Sequence, residues 1–384
     1  MTFAGALAFL SLLCCLGLAI PRWRGGRRLR FLADLPAPAA GARAPRVSII
    51  APARNEERNI RAAVHTWRRL QYSDYEVIVV DDRSTDATPG ILAQLAREWS
   101  ALRVVTVATL PERWLGKNYA NHVAAAQATG DWILFTDADV LLAPDALGRA
   151  IAYAQAERLD HLVAGPEAVM PGRLLGQFPV YFGLLFSTLT RPWKVRDPTS
   201  SAHVGVGAFN LVRASAYRAV GGHEPIRLRP DDDLKLGKLL KRAGFSQDFV
   251  VGRGLVRVEW YASWRELQTG LMKNLYAGVD YRASVVVAGV AANLLLGVWP
   301  WIALGFVHGS AWWLNAAICG LAVWEGWCAS RYYGTSRWAG VLMPLFALAG
   351  AWLMARALVL THWQGGIRWR DTLYPLAWLK SNKV

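Results

Sequence analysis

The sequence predicts an α/β domain, a mostly parallel sheet with helices on both faces, flanked by transmembrane helices. Three observations lead there. Short β-branched runs alternate with helix-length stretches through the polar middle of the chain, the pattern of strand–helix–strand units. Both ends carry long runs without a charged residue, of the length a bilayer crossing requires. The 384 residues are 54% hydrophobic and only 18% charged, too apolar for a disordered chain and unlike an ordinary soluble enzyme. Four cysteines in so long a chain exclude a disulfide scaffold. All four lie in the apolar ends, so the middle needs no oxidising compartment.

Taken in order, Thr2 to Ile20 holds no charge, and Pro21 to Arg30 holds five arginines and no acid. A cleaved signal, the competing reading, carries its basic cluster before the apolar run; here the cluster comes after it, so residues 1–21 read as an uncleaved anchor. The positive-inside rule then places the residues after Arg22 in the cytoplasm, beginning with a basic linker over 22–45. The α/β domain is expected over 46–282. Ala283 to Trp324 is free of Asp, Glu, Lys and Arg, enough for two spans of about 20 residues each that turn at Val307-His308-Gly309-Ser310. A third runs from about Trp338 to Leu360, giving a membrane region over 283–362 with Trp299, Trp312, Trp338 and Trp363 near its span ends. Residues 363–384 form a basic amphipathic tail. Three crossings would leave that tail outside, against the charge rule, so either the rule is broken or one segment re-enters; Glu325 sits at the edge of the second.

Within the middle, Val47 to Ile50 reads as a strand, followed by a helix from about Glu56 to Leu70. Glu76 to Val80 is the next strand, ending at Asp81-Asp82; Thr85 or Asp86 caps a helix to about Trp99. Arg103 to Val107 is a third strand, Asn118 to Ala128 a helix, and Trp132 to Thr136 a fourth strand ending at Asp137-Ala138-Asp139. Ligands of such sheets bind beyond the carboxyl ends of the strands, where both acidic clusters lie. No G-x-G-x-x-G follows a strand, and no P-loop, H-E-x-x-H or paired C-x-x-C appears, which removes the usual support for dinucleotide, P-loop and zinc readings.

Carboxylates two residues apart at a strand end can share a hard divalent cation, Mg2+ or Mn2+, with a diphosphate; a solvated turn before Pro144 is the alternative. Asp81-Asp82 can accept hydrogen bonds from a ribose or base, or open a turn. Asp231-Asp232-Asp233 opens a helix, where N-capping needs only one of the three. Crowded acids raise one another's pKa, which suits one of them to proton abstraction.

In order, Pro52-Ala53-Arg54-Asn55-Glu56, Val80-Asp81-Asp82-Arg83-Ser84-Thr85-Asp86 and Asp137-Ala138-Asp139 resemble the N-terminal half of the family-2 glycosyltransferases of Rossmann-like GT-A fold. Gly221-Gly222-His223-Glu224, then Asp232-Asp233 and Lys241-Arg242-Ala243-Gly244, resemble their acceptor half. The resemblance implies that Pro52, Arg54 and Glu56 line the nucleotide pocket and Asp82 contacts the uracil or ribose. It places Lys117 near the base or diphosphate, or simply at an exposed helix start. Asp139 binds the metal with help from Asp137, and Asp233 is the catalytic base preceded by Asp232. The chain departs at the Q-x-x-R-W motif of polysaccharide synthases: Lys273 stands for the Arg as a diphosphate-side cation and nothing replaces the Trp. It looks closer to membrane enzymes that glycosylate carotenoid-, hopanoid- or ceramide-type lipids, and Trp369-Arg370 and Tyr374 resemble the tails of the last more loosely.

Leu174 to Leu189 is apolar and aromatic between Arg173 and Arg191, either an interfacial helix or a buried core helix. Phe182 and Phe186, with His223, are candidates for the acceptor side. Arg191, Lys194, Arg196 and the Pro21–Arg30 cluster suit anionic headgroups, whereas no basic-aromatic module for nucleic acid is found. The expected function is a metal-dependent inverting hexosyltransferase of a bacterial plasma membrane, moving sugar from a nucleotide-sugar donor, a UDP-sugar by the resemblance, to a lipid hydroxyl on the cytoplasmic side. The rivals are a polysaccharide synthase and a non-catalytic nucleotide-binding transporter or scaffold.

Overall fold

The computed structural model describes residues 2–37, 44–369 and 372–384. The chain divides into two compact units. One comprises Leu29–Ala168, Pro192–Glu259 and Val384; the other Met1–Arg28, Val169–Arg191 and Trp260–Lys383. These differ from the expected boundaries, because segments 169–191 and 260–282 group with the apolar helices rather than with the sheet. Their apolar side chains explain it: Phe178, Val180, Leu267 and Leu271 bury themselves with Ala329, Phe346 and Leu353. Part of the expected linker (38–43) and Arg370 of the expected tail lie outside the described residues. Residues 22–26 continue the first helix, α1 (Phe3–Gly26).

The α/β unit holds an eight-stranded sheet of β1 (Arg30–Phe31), β2 (Val47–Ala53), β3 (Tyr75–Asp82), β4 (Leu102–Val107), β5 (Trp132–Phe135), β7 (His161–Gly165), β9 (Asn210–Arg213) and β10 (Gln247–Val251). Their order is β1-β10-β7-β9-β5-β2-β3-β4. β6 (Val140–Leu142), β8 (Glu167–Val169) and β11 (Val256–Glu259) make a second, three-stranded sheet. All pairs in the large sheet are parallel except those of β9 with β5 and β7. Side chains alternate across each strand, so one sheet feeds two cores. Ile49, Val77, Val79 and Leu134 join one core with Ile60 of α2 (Ile60–Trp67), Leu92 of α3 (Thr88–Glu98) and Leu147 of α5 (Ala146–Ala156). Ile50, Ile78, Val80 and Ile133 join the other with Ala120 of α4 (Gly116–Gln127), Ala216 of α7 (Ala214–Ala219) and Leu236 of α8 (Asp232–Arg242). Helices therefore cover both faces, as expected. α3 starts at Thr88, later than the expected Thr85 or Asp86, because the Asp86 carboxylate accepts from the backbone N–H of Glu57 (3.1 Å) as well as that of Thr88 (2.9 Å) and so laces two loops together.

In the other unit, α1 is joined by α6 (Phe178–Thr190), α9 (Trp264–Ala277), α10 (Ala283–Ala292), a π-helical stretch over Asn293–Val298, α11 (Trp299–Ala303), α12 (Ser310–Tyr333) and α13 (Met343–Trp363). The hairpin β12 (Gly366–Trp369) and β13 (Thr372–Pro375) and α14 (Leu376–Ser381) complete it. Three helical segments, Phe3–Gly26, Ala283–Ala303 and Arg337–Trp363, are long and apolar enough to cross a membrane. α12 has the length but carries Glu325, which receives two hydrogen bonds from Arg22, Nε at 2.9 Å and Nη2 at 2.8 Å; Arg22 Nη1 donates to Thr188 (2.8 Å).

The directions of these helices bear on the topology. α1 and α12 run in the same sense: Trp23 meets Trp324 (5.9 Å between rings), and Tyr332 Oη lies 3.0 Å from where a Cβ on Gly26 would stand. α11 and α12 form a hairpin, tied by Trp312 Nε1 donating to Leu304 O (3.1 Å). α13 runs against α10, with Gly297 facing Ala347 and Gly289 facing Met354. α12 and α13 thus share a direction, and the segment between them doubles back so that a Cβ on Gly340 would sit 2.2 Å from Val323 O. The last apolar segment accordingly returns to the end from which α10 starts.

Candidate active site

Two strand ends build the first wall. β2 and β3 are paired in register to Ala53 and Asp81, and the loops that leave them bind each other. Asn55, in the left-handed region at φ 55°, accepts from Thr85 N (2.8 Å), while its own N–H donates to Ser84 Oγ (3.0 Å) and Glu56 N donates to Thr88 Oγ1 (2.8 Å). This fixes Pro52, Arg54 and Glu56 at the carboxyl edge of the sheet. Asp81 accepts from Ser84 N (3.2 Å) and opens the turn; Asp82 is bound by Arg83 at 2.7 Å and 3.1 Å. α4 begins against that pair, where a Cβ on Gly116 would lie 2.2 Å from Asp82 Oδ2, so any larger residue would have to push the carboxylate aside. The next residue, Lys117, reaches Asp137 Oδ1 at 2.6 Å.

Asp137 and Asp139 come after β5, the strand beside β2. Asp139 Oδ1 is buried and makes no hydrogen bond. Its carboxyl is raised to about 7, by burial first, then by Asp137 and Glu56. A buried, orphaned carboxylate oxygen among like charges lacks a positive partner. Among the described residues no group of three His, Cys, Asp or Glu side chains is placed to hold a metal ion. The donor set therefore fits a Mg2+ or Mn2+ site of one or two carboxylates completed by phosphate oxygens, not an all-protein cage.

The start of α8 supplies the third acidic group, and the structure sorts its three members. Asp231 occupies the N-cap position but makes no capping bond; it is bound by the buried Arg229 (2.9 Å and 3.0 Å) and by Lys235 (3.5 Å). The capping reading thus gives way to an ion pair. Asn118 of α4 holds the preceding loop by donating to Ile226 O (2.7 Å) and Arg229 O (3.0 Å). Asp233 is half-buried and raised to about 7, by burial first and Asp232 second, with Lys117 opposing. Burial alone would pull the Lys117 ammonium down, but Asp137, Asp232 and Asp233 push it above its ordinary value. Lys117 is therefore the cation between the two acidic clusters rather than an exposed helix start.

His223 is not on an open acceptor surface. It is 1% exposed, and its Nδ1 faces Tyr217 Oη (2.7 Å) while Nε2 faces Asp232 Oδ2 (3.7 Å) and Asn121 (3.4 Å). Burial lowers its pKa and keeps it neutral. It lies buried beside Asp232. Gly221 and Gly222, both at positive φ, let the chain turn tightly enough to bring it there.

Sequence reasoning missed Gly205 and Gly207. A Cβ on Gly205 would lie 1.8 Å from Asp233 O, and one on Gly207 2.7 Å from Asp137 Oδ2 and 2.9 Å from Lys117 Nζ. This loop seats α8 and covers the lysine–aspartate pair; the G-V-G triplet was its only signal. Lys273, Phe182 and Phe186 belong to the other unit. Lys273 Nζ stands 3.8 Å from the ring centre of Trp369, a stacked cation–aromatic pair. Phe182 and Phe186 are half-buried, and Phe182 packs edge-on against Trp260 (4.7 Å).

Residues 48–221 match the model of glycosyl transferase family 2. The 4,4'-diaponeurosporenoate glycosyltransferase of Staphylococcus haemolyticus is 26% identical over 255 residues, 65% of this chain and 66% of that protein. Its counterpart in Staphylococcus aureus is 28% identical over 238 residues, 60% of this chain and 61% of its own length. The matches thus span just under two thirds of these relatives. A mannosyltransferase from Pyrobaculum calidifontis, solved with GDP-Man and Mn2+, superposes at a TM-score of 0.55 with 20% identity, covering 94% of this chain and 99% of its own. Strand order, ordered acidic stations and these likenesses agree: the chain carries a family-2 glycosyltransferase domain of GT-A fold.

Proposed function

We propose that the protein is a membrane-bound, metal-dependent inverting glycosyltransferase that moves a sugar from a nucleotide-sugar donor to a lipid hydroxyl. The observation that carries the reading is the pair of perturbed carboxyls, Asp139 and Asp233, on either side of the Lys117–Asp137 ion pair. Pro52, Arg54, Glu56 and Asp82 hold the nucleoside, and Asp139 with Asp137 holds Mg2+ or Mn2+. Once bound, that cation neutralises charge on the leaving diphosphate. Lys117 supplies positive charge on the same side. Asp233 takes the proton of the acceptor hydroxyl as its oxygen bonds to the anomeric carbon. The bond from that carbon to the diphosphate oxygen breaks with the electron pair leaving on the diphosphate, which inverts the centre. Asp232, steadied by His223, keeps Asp233 a strong enough base to act near neutral pH.

The lipid acceptor is supported by the carotenoid-type relatives and by apolar helices in the same chain. The arginines after α1 support a cytoplasmic catalytic domain at a bacterial plasma membrane. The test is a membrane-fraction assay with a panel of radiolabelled nucleotide sugars, followed by lipid extraction. Label in the lipid phase that requires a divalent cation is the expected result; equal transfer to a water-soluble sugar would sink the lipid assignment. The relatives' named substrate is a carboxylate, which at neutral pH has no proton to surrender. Asp233→Asn therefore separates acceptors: it spares transfer to a lipid acid and cripples transfer to a lipid alcohol.

A further inference from the structure

Away from the acidic site, the helical unit gathers positive charge at one end. Because α1 and α12 run in the same sense, Gly26, which lies among Arg24, Arg27 and Arg28 in the chain, comes against Tyr332, the neighbour of Arg331. Gly26 permits the approach: a Cβ there would stand 3.0 Å from Tyr332 Oη, which accepts from Arg331 Nη2 at 2.5 Å. Arg27 lies over the Trp23 ring (5.2 Å), Arg331 over Tyr332 (4.6 Å) and Arg337 over Trp327 (5.1 Å). Arg24, Arg27, Arg28, Arg331 and Arg337 are exposed. Glu325, on the same helix as Arg331, is bound by Arg22.

We propose that this arginine–aromatic collar binds the headgroups of anionic phospholipids in the leaflet at that end of the helices. The proposal rests on the membrane reading above. A guanidinium pairs with phosphate oxygens through two parallel hydrogen bonds. Stacking on Trp or Tyr holds it at headgroup depth, where aromatic side chains settle, and basic residues at helix ends concentrate anionic lipid. A zwitterionic headgroup presents the same phosphate but brings its own ammonium, so net charge is what the collar selects.

The test uses the full chain in nanodiscs of phosphatidylcholine containing phosphatidylglycerol, with bromine on the acyl chains of one lipid or the other, and reads tryptophan quenching. At equal mole fraction, brominated phosphatidylglycerol should quench more, corresponding to a local enrichment of roughly two- to five-fold. That excess should shrink in about 0.5 M salt and in Arg27→Gln/Arg331→Gln, and persist in Arg27→Lys/Arg331→Lys. If the glutamine pair does not fold, the salt titration of the wild type decides alone. Equal quenching by both lipids overturns the proposal. Quenching by neither overturns it too, and takes with it the membrane reading on which it stands.

Discussion

Two regions treat buried acids in opposite ways. In the helical unit Glu325 stands alone, and Arg22 meets both of its oxygens while Thr188 takes another of the guanidinium donors. In the α/β unit Asp137, Asp139, Asp232 and Asp233 crowd around one lysine, leaving Asp139 with an orphaned oxygen and both Asp139 and Asp233 raised to about 7. The first arrangement is complete within the chain; the second lacks positive charge. Satisfied ion pairs hold structure together, whereas unsatisfied clusters mark where a ligand belongs.

The sharpest way to break that contrast is Asp139→Ala. It should abolish turnover and the metal-dependent part of nucleotide binding, read by nucleotide titration with and without EDTA. Affinity indifferent to both the mutation and the chelator would remove the metal site. Next, Asp233→Asn should leave donor binding intact while kcat on a hydroxyl acceptor falls by about 10²–10⁴. Greater damage from Asp232→Asn would exchange the roles of the two.

Glu325→Leu should act on stability instead. Leaving Arg22 buried without its partner costs about 3–5 kcal/mol, and Arg22→Leu/Glu325→Leu should recover most of it. Chemical denaturation in detergent measures both, and unchanged stability in the single variant would show that the pair is idle. The smallest effect is one of pH. Asp233 must be ionised to accept a proton, so activity should fall as pH drops through about 7. Asp232→Asn removes one cause of the raised pKa and should move that limb to lower pH. His223→Phe should do likewise, because Asp232 would then more readily take the proton itself. A pH profile unmoved in both variants would detach Asp232 and His223 from the tuning of the base.

Much of this was legible because it is written locally. The β-branched runs ending in Asp81-Asp82 and Asp137-Ala138-Asp139 gave strand type, parallel order and the edge that carries the site, since period-two burial and strand-end acids need no tertiary knowledge. What escaped depended on distant pairing. His223 was a candidate for the acceptor side, yet the two glycines before it fold it inward against Tyr217 and Asp232. Gly205 and Gly207 had no readable purpose because the atoms they make room for come from α8 and from the Lys117–Asp137 pair. Segment 169–191 sits within the sheet domain by position in sequence, whereas its aromatic side chains belong with helices from the chain's far end.

The bond between Arg22 and Glu325 also implies an order of assembly. Arg22 precedes Glu325 by 303 residues, so while that stretch is being translated the arginine has no such acid to meet. Through that interval its charge is available to hold the first helix in one orientation. Glu325 emerges later in a helix that is costly to bury alone, and it becomes tolerable only against a helix already in place. A chain deprived of α1 should therefore fail at the end of its biogenesis, with α12 left as a substrate for quality control while the sheet domain, made in between, is already folded.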